Sequence, residues 1–243
     1  MALLSRLMER LWAGAEAAYR REILASLPTD PSLRLLDVGC EDGAWTERLR
    51  AKLGIPARQV SCLEIVPALA ERARERGFDV RTGDLDAPWP FDDYTFEVVH
   101  ANQVIEHVQR LDHFASELRR VLAPGGMAVV CTENLASWHN IGALFLGLQP
   151  FSLTNISARR PLGNPFANCG AYLDSGESFL HVHVMTFRAL LDLLREHGFT
   201  IERSWGRGYH PLPHFLATAL AKFDPRHAHF IGAVARVPAV GRA

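Results

Sequence analysis

Between residues 34 and 133 the chain alternates short strand-like runs with helix-like ones, and this alternation constrains its fold more than any other feature. Residues 34–38 read as a strand. Residues 44–53 read as a helix with Trp45, Leu49 and Leu53 on one face and Gly54 as its stop. A second strand over 60–66 precedes a helix that Pro67 is placed to start and Gly77 to end. Strands three and four follow at 78–82 and 96–101. Leu111, Phe114, Leu118 and Val121 then mark a helix stopped by Pro124-Gly125-Gly126, and a fifth strand covers 127–133. Such spacing predicts a mostly parallel sheet joined by right-handed crossovers.

After residue 134 the alternation breaks. Residues 135–182 hold a short apolar helix candidate, "IGALFLGL", and a loop rich in Pro, Gly, Asn and Ser. The pattern resumes with a helix that Thr186 can cap, a strand over 199–205 and a last strand over 229–237. The expectation is one α/β domain with a doubly wound seven-stranded sheet, its last strand antiparallel. In this division residues 1–30 form N-terminal helices, 33–133 the ligand-binding core, 135–182 a helical cap and 183–240 the rest of the sheet.

Composition narrows the partners. A formal net charge of −1 offers no long-range field to a polyanion, so nucleic acid is not expected. Cys40, Cys62, Cys131 and Cys169 lack C-x-x-C spacing, and three of them sit in or beside apolar runs, which suits buried free thiols in a reducing, cytoplasmic setting. Leu4, Leu7, Met8, Leu11 and Trp12 have helical spacing, but Arg6, Glu9 and Arg10 interrupt them too early for a signal peptide. An amphipathic helix packed on the domain is expected, with peripheral membrane contact as the lesser reading.

The stretch "LLDVGCEDGAW" turns from strand one into the next helix through Gly39 and Gly43. Ligands of open parallel sheets bind outside the carboxyl ends of the strands, so Asp37, Gly39, Gly43, Glu64 and Asp84 should share one rim. Glu64 lies 21 residues after Gly43, the offset at which a carboxylate takes both hydroxyls of a ribose. Asp84 can accept from an adenine amino group. These features predict an adenosine. Glu41 and Asp42 would repel a pyrophosphate, whereas a nucleoside bearing a sulfonium and an ammonium would welcome acids, with Asp37 placed to receive the ammonium. S-adenosylmethionine has both charges.

These residues resemble the class I S-adenosylmethionine-dependent methyltransferases, in particular the small-molecule group that includes the ubiquinone and menaquinone enzymes. "LLDVGCEDG" is similar to their D-x-G-x-G-x-G motif, "CLEI" to their ribose-binding segment and "GDLD" to their adenine-binding segment. "FEVVHANQVIEHV" and "LRRVLAPGGMAVV" are similar to their fourth strand and to the turn into their fifth. The likeness covers 33–133 strongly and 181–237 more loosely. It implies cofactor contacts from Asp37, Gly39, Cys40, Gly43, Glu64, Ile65, Asp84, Leu85, Asn102 and Gln103. Glu41 departs from the pattern, standing where the family has its middle glycine.

The acceptor is less defined. Trp138, Ile141, Leu144, Phe145, Leu148 and Phe151 make the 135–182 insertion apolar for a connection, which suits a wall for a small or lipid-like acceptor, methylated at oxygen. Methyl transfer needs positioning, and a base where the nucleophile must lose a proton. His107 and His181 are the candidate bases. The resemblance implies a Glu-His pair at 106–107 that helps hold a metal in some ubiquinone-pathway O-methyltransferases. Gln103 stands where those have an acid, so no metal is expected. Methylation at nitrogen or carbon, a macromolecular substrate, a nicotinamide-dependent dehydrogenase and a non-catalytic binding protein are the alternatives. Either a monomer or a homodimer fits.

Overall fold

The computed structural model describes residues 2–154, 156–157, 160–167 and 180–239. Cys169 and the side chains of Leu4, Leu7 and Met8 lie outside the described residues. In chain order the elements are α1 (Ala2–Ser26), β1 (Leu35–Val38), α2 (Ala44–Leu53), β2 (Val60–Glu64), α3 (Pro67–Glu75), β3 (Asp79–Thr82) and β4 (Phe96–Asn102). Then come α4 (Leu111–Val121), β5 (Leu122–Glu133), α5 (Trp138–Phe145), α6 (Phe187–Glu196), β6 (Thr200–Arg207), α7 (His214–Phe223) and β7 (Phe230–Arg236).

The strands form one seven-stranded sheet in the order β3-β2-β1-β4-β5-β7-β6, so the expected Rossmann-like architecture is present. β1 pairs in parallel with both β2 and β4, which makes the end of β1 the point where the strand order reverses. β7 runs against β5. Gly125 and Val237 bond at one end of that pair and Asn134 and His229 at the other, the crossing register of antiparallel strands.

Local chemistry accounts for most boundaries. Pro67 opens α3, Gly54 ends α2 in the left-handed conformation, and the Thr186 hydroxyl accepts from the Ala189 amide at the start of α6. The largest departure from the boundaries read in the sequence lies between α4 and β5. α4 stops at Val121, and β5 begins at Leu122 rather than 127. Pairing of the Gly125-Gly126 segment with Val237 carries the ladder through the Pro-Gly-Gly turn. In α1, Trp12 is 44% exposed, and Ala15, Ala18, Tyr19 and Ile23 form the buried stripe instead.

Packing divides the chain into two compact units. One comprises Arg21–Cys131, Leu191–Ser204 and Ala233–Ala243, with Leu35, Leu36, Leu49, Leu63, Phe114 and Leu118 at its centre. The other comprises Met1–Arg20, Thr132–Leu190 and Trp205–Gly232. There Tyr19 packs on Phe230 with ring centroids 4.4 Å apart, and Ala217, Ala221, Tyr209 and Ala228 make a small buried cluster.

Candidate cofactor site

Glycine is required in the turn after β1. Gly39 has φ +71°, and a Cβ there would stand 2.5 Å from a Val104 methyl. Gly43 has φ +76°, with the Ala73 backbone 3.2 Å from where its Cβ would be. The Gly39 amide donates to the Leu63 carbonyl at 2.8 Å, tying the turn to β2. Residue 41 also lies in the left-handed region, φ 51°, although glutamate stands there. The turn therefore keeps the backbone shape a glycine would adopt freely. Left-handed backbone costs a side-chain-bearing residue about 1–2 kcal/mol, and glycine costs about 0.5–1 kcal/mol in unfolded-state entropy. Glu41→Gly is accordingly expected to raise stability by roughly 0.5–1 kcal/mol in chemical denaturation. A loss of stability would show that the Glu41 side chain supports the turn.

Glu64 holds this strained residue in place. One carboxylate oxygen accepts from the Glu41 amide and the other from the Val66 amide, both at 2.9 Å. Glu64 is buried at the end of β2, and its carboxylate retains lone pairs for further donors. The neighbouring acids have structural partners. Asp42 accepts from the Ala44 amide at the start of α2 and pairs with Arg76 at 3.3 Å. Asp37 is buried, accepting from the Thr46 hydroxyl at 2.6 Å and meeting His100 Nδ1 at 2.7 Å. Trp45 Nε1 donates to His100 Nε2 at 3.3 Å, which assigns the ring's proton to Nδ1, facing Asp37. Of the three acids around the turn, only Glu41 is exposed. The acidity read in the sequence as a welcome for a cation thus first serves the turn's own architecture.

His100, Trp45 and Thr46 were not legible as site-supporting residues. The only signal was a histidine inside the apolar run of strand four.

The remaining rim residues come from neighbouring strand ends. Ile65 is 43% exposed, an apolar surface beside Glu64. The Gly83 amide donates to the Glu64 carbonyl, bringing Asp84 and Leu85 to the same edge. Asp84 is exposed, and one of its oxygens accepts from the Asp86 amide, a local turn. Cys40 is buried next to Cys62, whose thiol is pushed well above the ordinary range by its hydrogen bond to Cys40 and by burial. Cys40, Cys62 and Cys131 are all buried, and none is in a disulfide among the described residues. At the end of β4, Asn102 Oδ1 and Gln103 Nε2 are buried without a hydrogen-bond partner among the described residues, and Gln103 has φ 54°. A buried polar atom left unpaired costs roughly 1–3 kcal/mol, so these two amides fit a ligand that would complete them.

The two candidate bases lie in different units. His107 closes a short 3-10 turn beside the buried Glu106, its amide donating to the Val104 carbonyl. His181 Nδ1 lies 2.8 Å from the Ser152 carbonyl, a bond that needs the proton on Nδ1 and leaves the lone pair on Nε2. Glu133 stands 3.9 Å from the same Nδ1.

A second histidine group, unread in the sequence, belongs to the unit that contains α5. His139, His210 and His229 pack with ring centroids 4.4–6.0 Å apart. His229 also stacks on Phe230 at 4.2 Å. Burial, reinforced by His210, lowers His139 to about 3, and burial holds His210 and His229 below the ordinary imidazole range.

A methyltransferase-domain family model matches residues 11–204. Ubiquinone biosynthesis O-methyltransferase of Maricaulis maris is 27% identical over 183 residues, covering 74% of this chain and 64% of that protein. Norajmaline N-methyltransferase of Rauvolfia serpentina is 31% identical over 133 residues, covering 49% of this chain and 44% of that protein. The chain thus spans less than two thirds of the length of these relatives. The crystal structure of an S-adenosylmethionine-dependent methyltransferase from Mesorhizobium loti superposes with a TM-score of 0.60 at 21% identity, covering 91% of this chain and 97% of that one. The chain belongs to the methyltransferase-domain family and has the S-adenosylmethionine-dependent methyltransferase fold.

Proposed function

We propose that the chain binds S-adenosylmethionine at the β1–β4 rim and transfers its methyl group to the oxygen of a small, apolar or lipid-like acceptor. The observation that carries this reading is the glycine turn clamped to Glu64, with the unpaired amides of Asn102 and Gln103 beside it. Glu64 is suited to the ribose hydroxyls, Ile65 to one face of the adenine, and Asp84 to its amino group. When bound, S-adenosylmethionine supplies an electrophilic methyl on a sulfonium. The protein's share is positioning, plus removal of a proton from a hydroxyl acceptor. His181, with its lone pair on Nε2, suits that role, and His107 is the second candidate. Within the apolar 135–182 segment, the half-buried Ile141, Leu148 and Phe151 are read as the acceptor wall. The buried, reduced thiols of Cys40, Cys62 and Cys131 support a reducing, cytoplasmic setting.

Calorimetry is expected to show S-adenosylhomocysteine binding to the wild type and no binding of NAD. Turnover against phenols, hydroxy acids and amines, followed by S-adenosylhomocysteine release, identifies the acceptor atom. His181→Gln should lower turnover of a hydroxyl acceptor by roughly 100-fold while leaving S-adenosylhomocysteine affinity intact. A wild-type protein that fails to bind S-adenosylhomocysteine would overturn the reading.

A further inference from the structure

Fourteen of the sixteen large hydrophobic side chains exposed among the described residues lie in the unit containing α5 and α7; Ile65 and Tyr94 are the exceptions. Helix α7 is inside out. Its small residues Ala217 and Ala221 face inward against Tyr209 and Ala228. Phe215, Leu216, Leu220 and Phe223 face solvent at i, i+1, i+5 and i+8, one side of a helix, with Phe215 71% and Phe223 86% exposed. Helix α5 repeats the arrangement. Asn140 and Ala143 are buried, while Leu144, Phe145 and Leu146 at its end are 54%, 88% and 70% exposed. Trp138, at the start of α5, lies 4.7 Å from the ring of His227, four residues beyond α7.

Charge identifies what such a surface fits. Residues 134–167 and 205–227 contain five Arg or Lys and one acid, Asp224, whereas the whole chain has a net charge of −1. Asp224 is itself engaged by His227 at 2.7 Å. Lys222 and Arg226, flanking Phe223, are both exposed. Monomeric surfaces seldom leave apolar side chains in such concentration without a partner. A helix apolar on its outer side, rimmed by basic residues and bordered by a tryptophan, matches a lipid interface. No helix among the described residues is long and apolar enough to cross a membrane, so the helices would lie on its surface. We propose that the outer faces of α5 and α7 dock this protein on an anionic bilayer, inserting Phe215, Phe223 and Phe145 among the headgroups. Docking goes beyond the methyl-transfer reading.

Flotation of the full chain with vesicles tests the inference. The wild type is expected to float with equimolar phosphatidylcholine and phosphatidylglycerol, to float far less with phosphatidylcholine alone, and to be released by high salt. Phe215→Ser/Phe223→Ser should lower vesicle affinity at least tenfold while retaining its thermal transition and S-adenosylhomocysteine affinity. That last measurement separates the two proposals, because loss of docking leaves cofactor binding unchanged and absent cofactor binding leaves docking intact. Wild-type protein that stays with neither vesicle would overturn the inference, as would a folded double variant that floats like the wild type. A salt-resistant dimer dissolved by the same substitutions, without vesicle binding, would assign the face to a second copy instead.

Discussion

Glu64→Ala is expected to weaken S-adenosylhomocysteine binding by about 1.5–3 kcal/mol, the usual scale for a hydrogen bond to a charged group. The structure adds a second consequence. The carboxylate also accepts from the Glu41 and Val66 amides, and alanine leaves both donors without that acceptor. The Val66 amide is buried, and an unpaired buried donor costs roughly 1–3 kcal/mol, so the ligand-free protein should lose stability as well. The Glu41 amide belongs to a residue already held at φ 51°, so the turn should relax toward an ordinary conformation once released. Glu64→Gln keeps one acceptor oxygen and should stay closer to wild type in stability than in affinity. Calorimetry with S-adenosylhomocysteine and chemical denaturation measure the two effects. An alanine variant unchanged in both would show that Glu64 neither clamps the turn nor meets the ribose.

Mild acid should destabilise the protein before its carboxylates titrate, because three histidines are held neutral in the fold. His139 falls from its ordinary value of 6.5 to about 3, and His210 and His229 are lowered by burial. Above pH 6.5 the imidazoles are neutral whether folded or unfolded, and their contribution is constant. Below it the unfolded chain takes up protons that the folded chain refuses, so stability falls as pH falls, and for His139 the loss continues until about pH 3. For His139 this costs about 1.4 kcal/mol per pH unit, or about 2 kcal/mol by about pH 5, and the lowered His210 and His229 act in the same direction. Glu47, Glu97 and Glu117, all lowered from 4.5, lose their contributions only at lower pH, which leaves the histidine window distinct. Denaturation midpoints from about pH 7 to about pH 5 should therefore fall steeply for the wild type and less so for His139→Gln and His229→Gln. Equal slopes in all three proteins would mean that these imidazoles titrate normally.

Much of the cofactor half was legible in the chain, because local rules govern it. Strands β1 to β5 and the helices between them follow from hydrophobic period and from Pro67, Gly54 and Gly77 acting at single positions. Gly39, Gly43 and Glu64 could be placed on one rim because parallel pairing brings successive strand ends together. What the acids do was not legible. Asp37 and Asp42 differ little from Glu64 as letters, and only the approach of His100, Thr46 and Arg76 from distant elements shows which carboxylates are engaged internally.

Helix α7 escaped the sequence reading because its apolar residues lie all round it, between Pro213 and Asp224-Pro225, with no single stripe to mark it. The histidine group escaped for a related reason. His139, His210 and His229 are far apart in sequence and gather only where α5, the end of β6 and the start of β7 meet. The sequence by itself determined the order of elements, the glycine turn and the acid that ends β2, since each depends on residues near one another in the chain. Tertiary structure alone decided which acids are engaged, which histidines are buried neutral and which apolar faces remain exposed, since burial depends on contacts that sequence spacing does not encode.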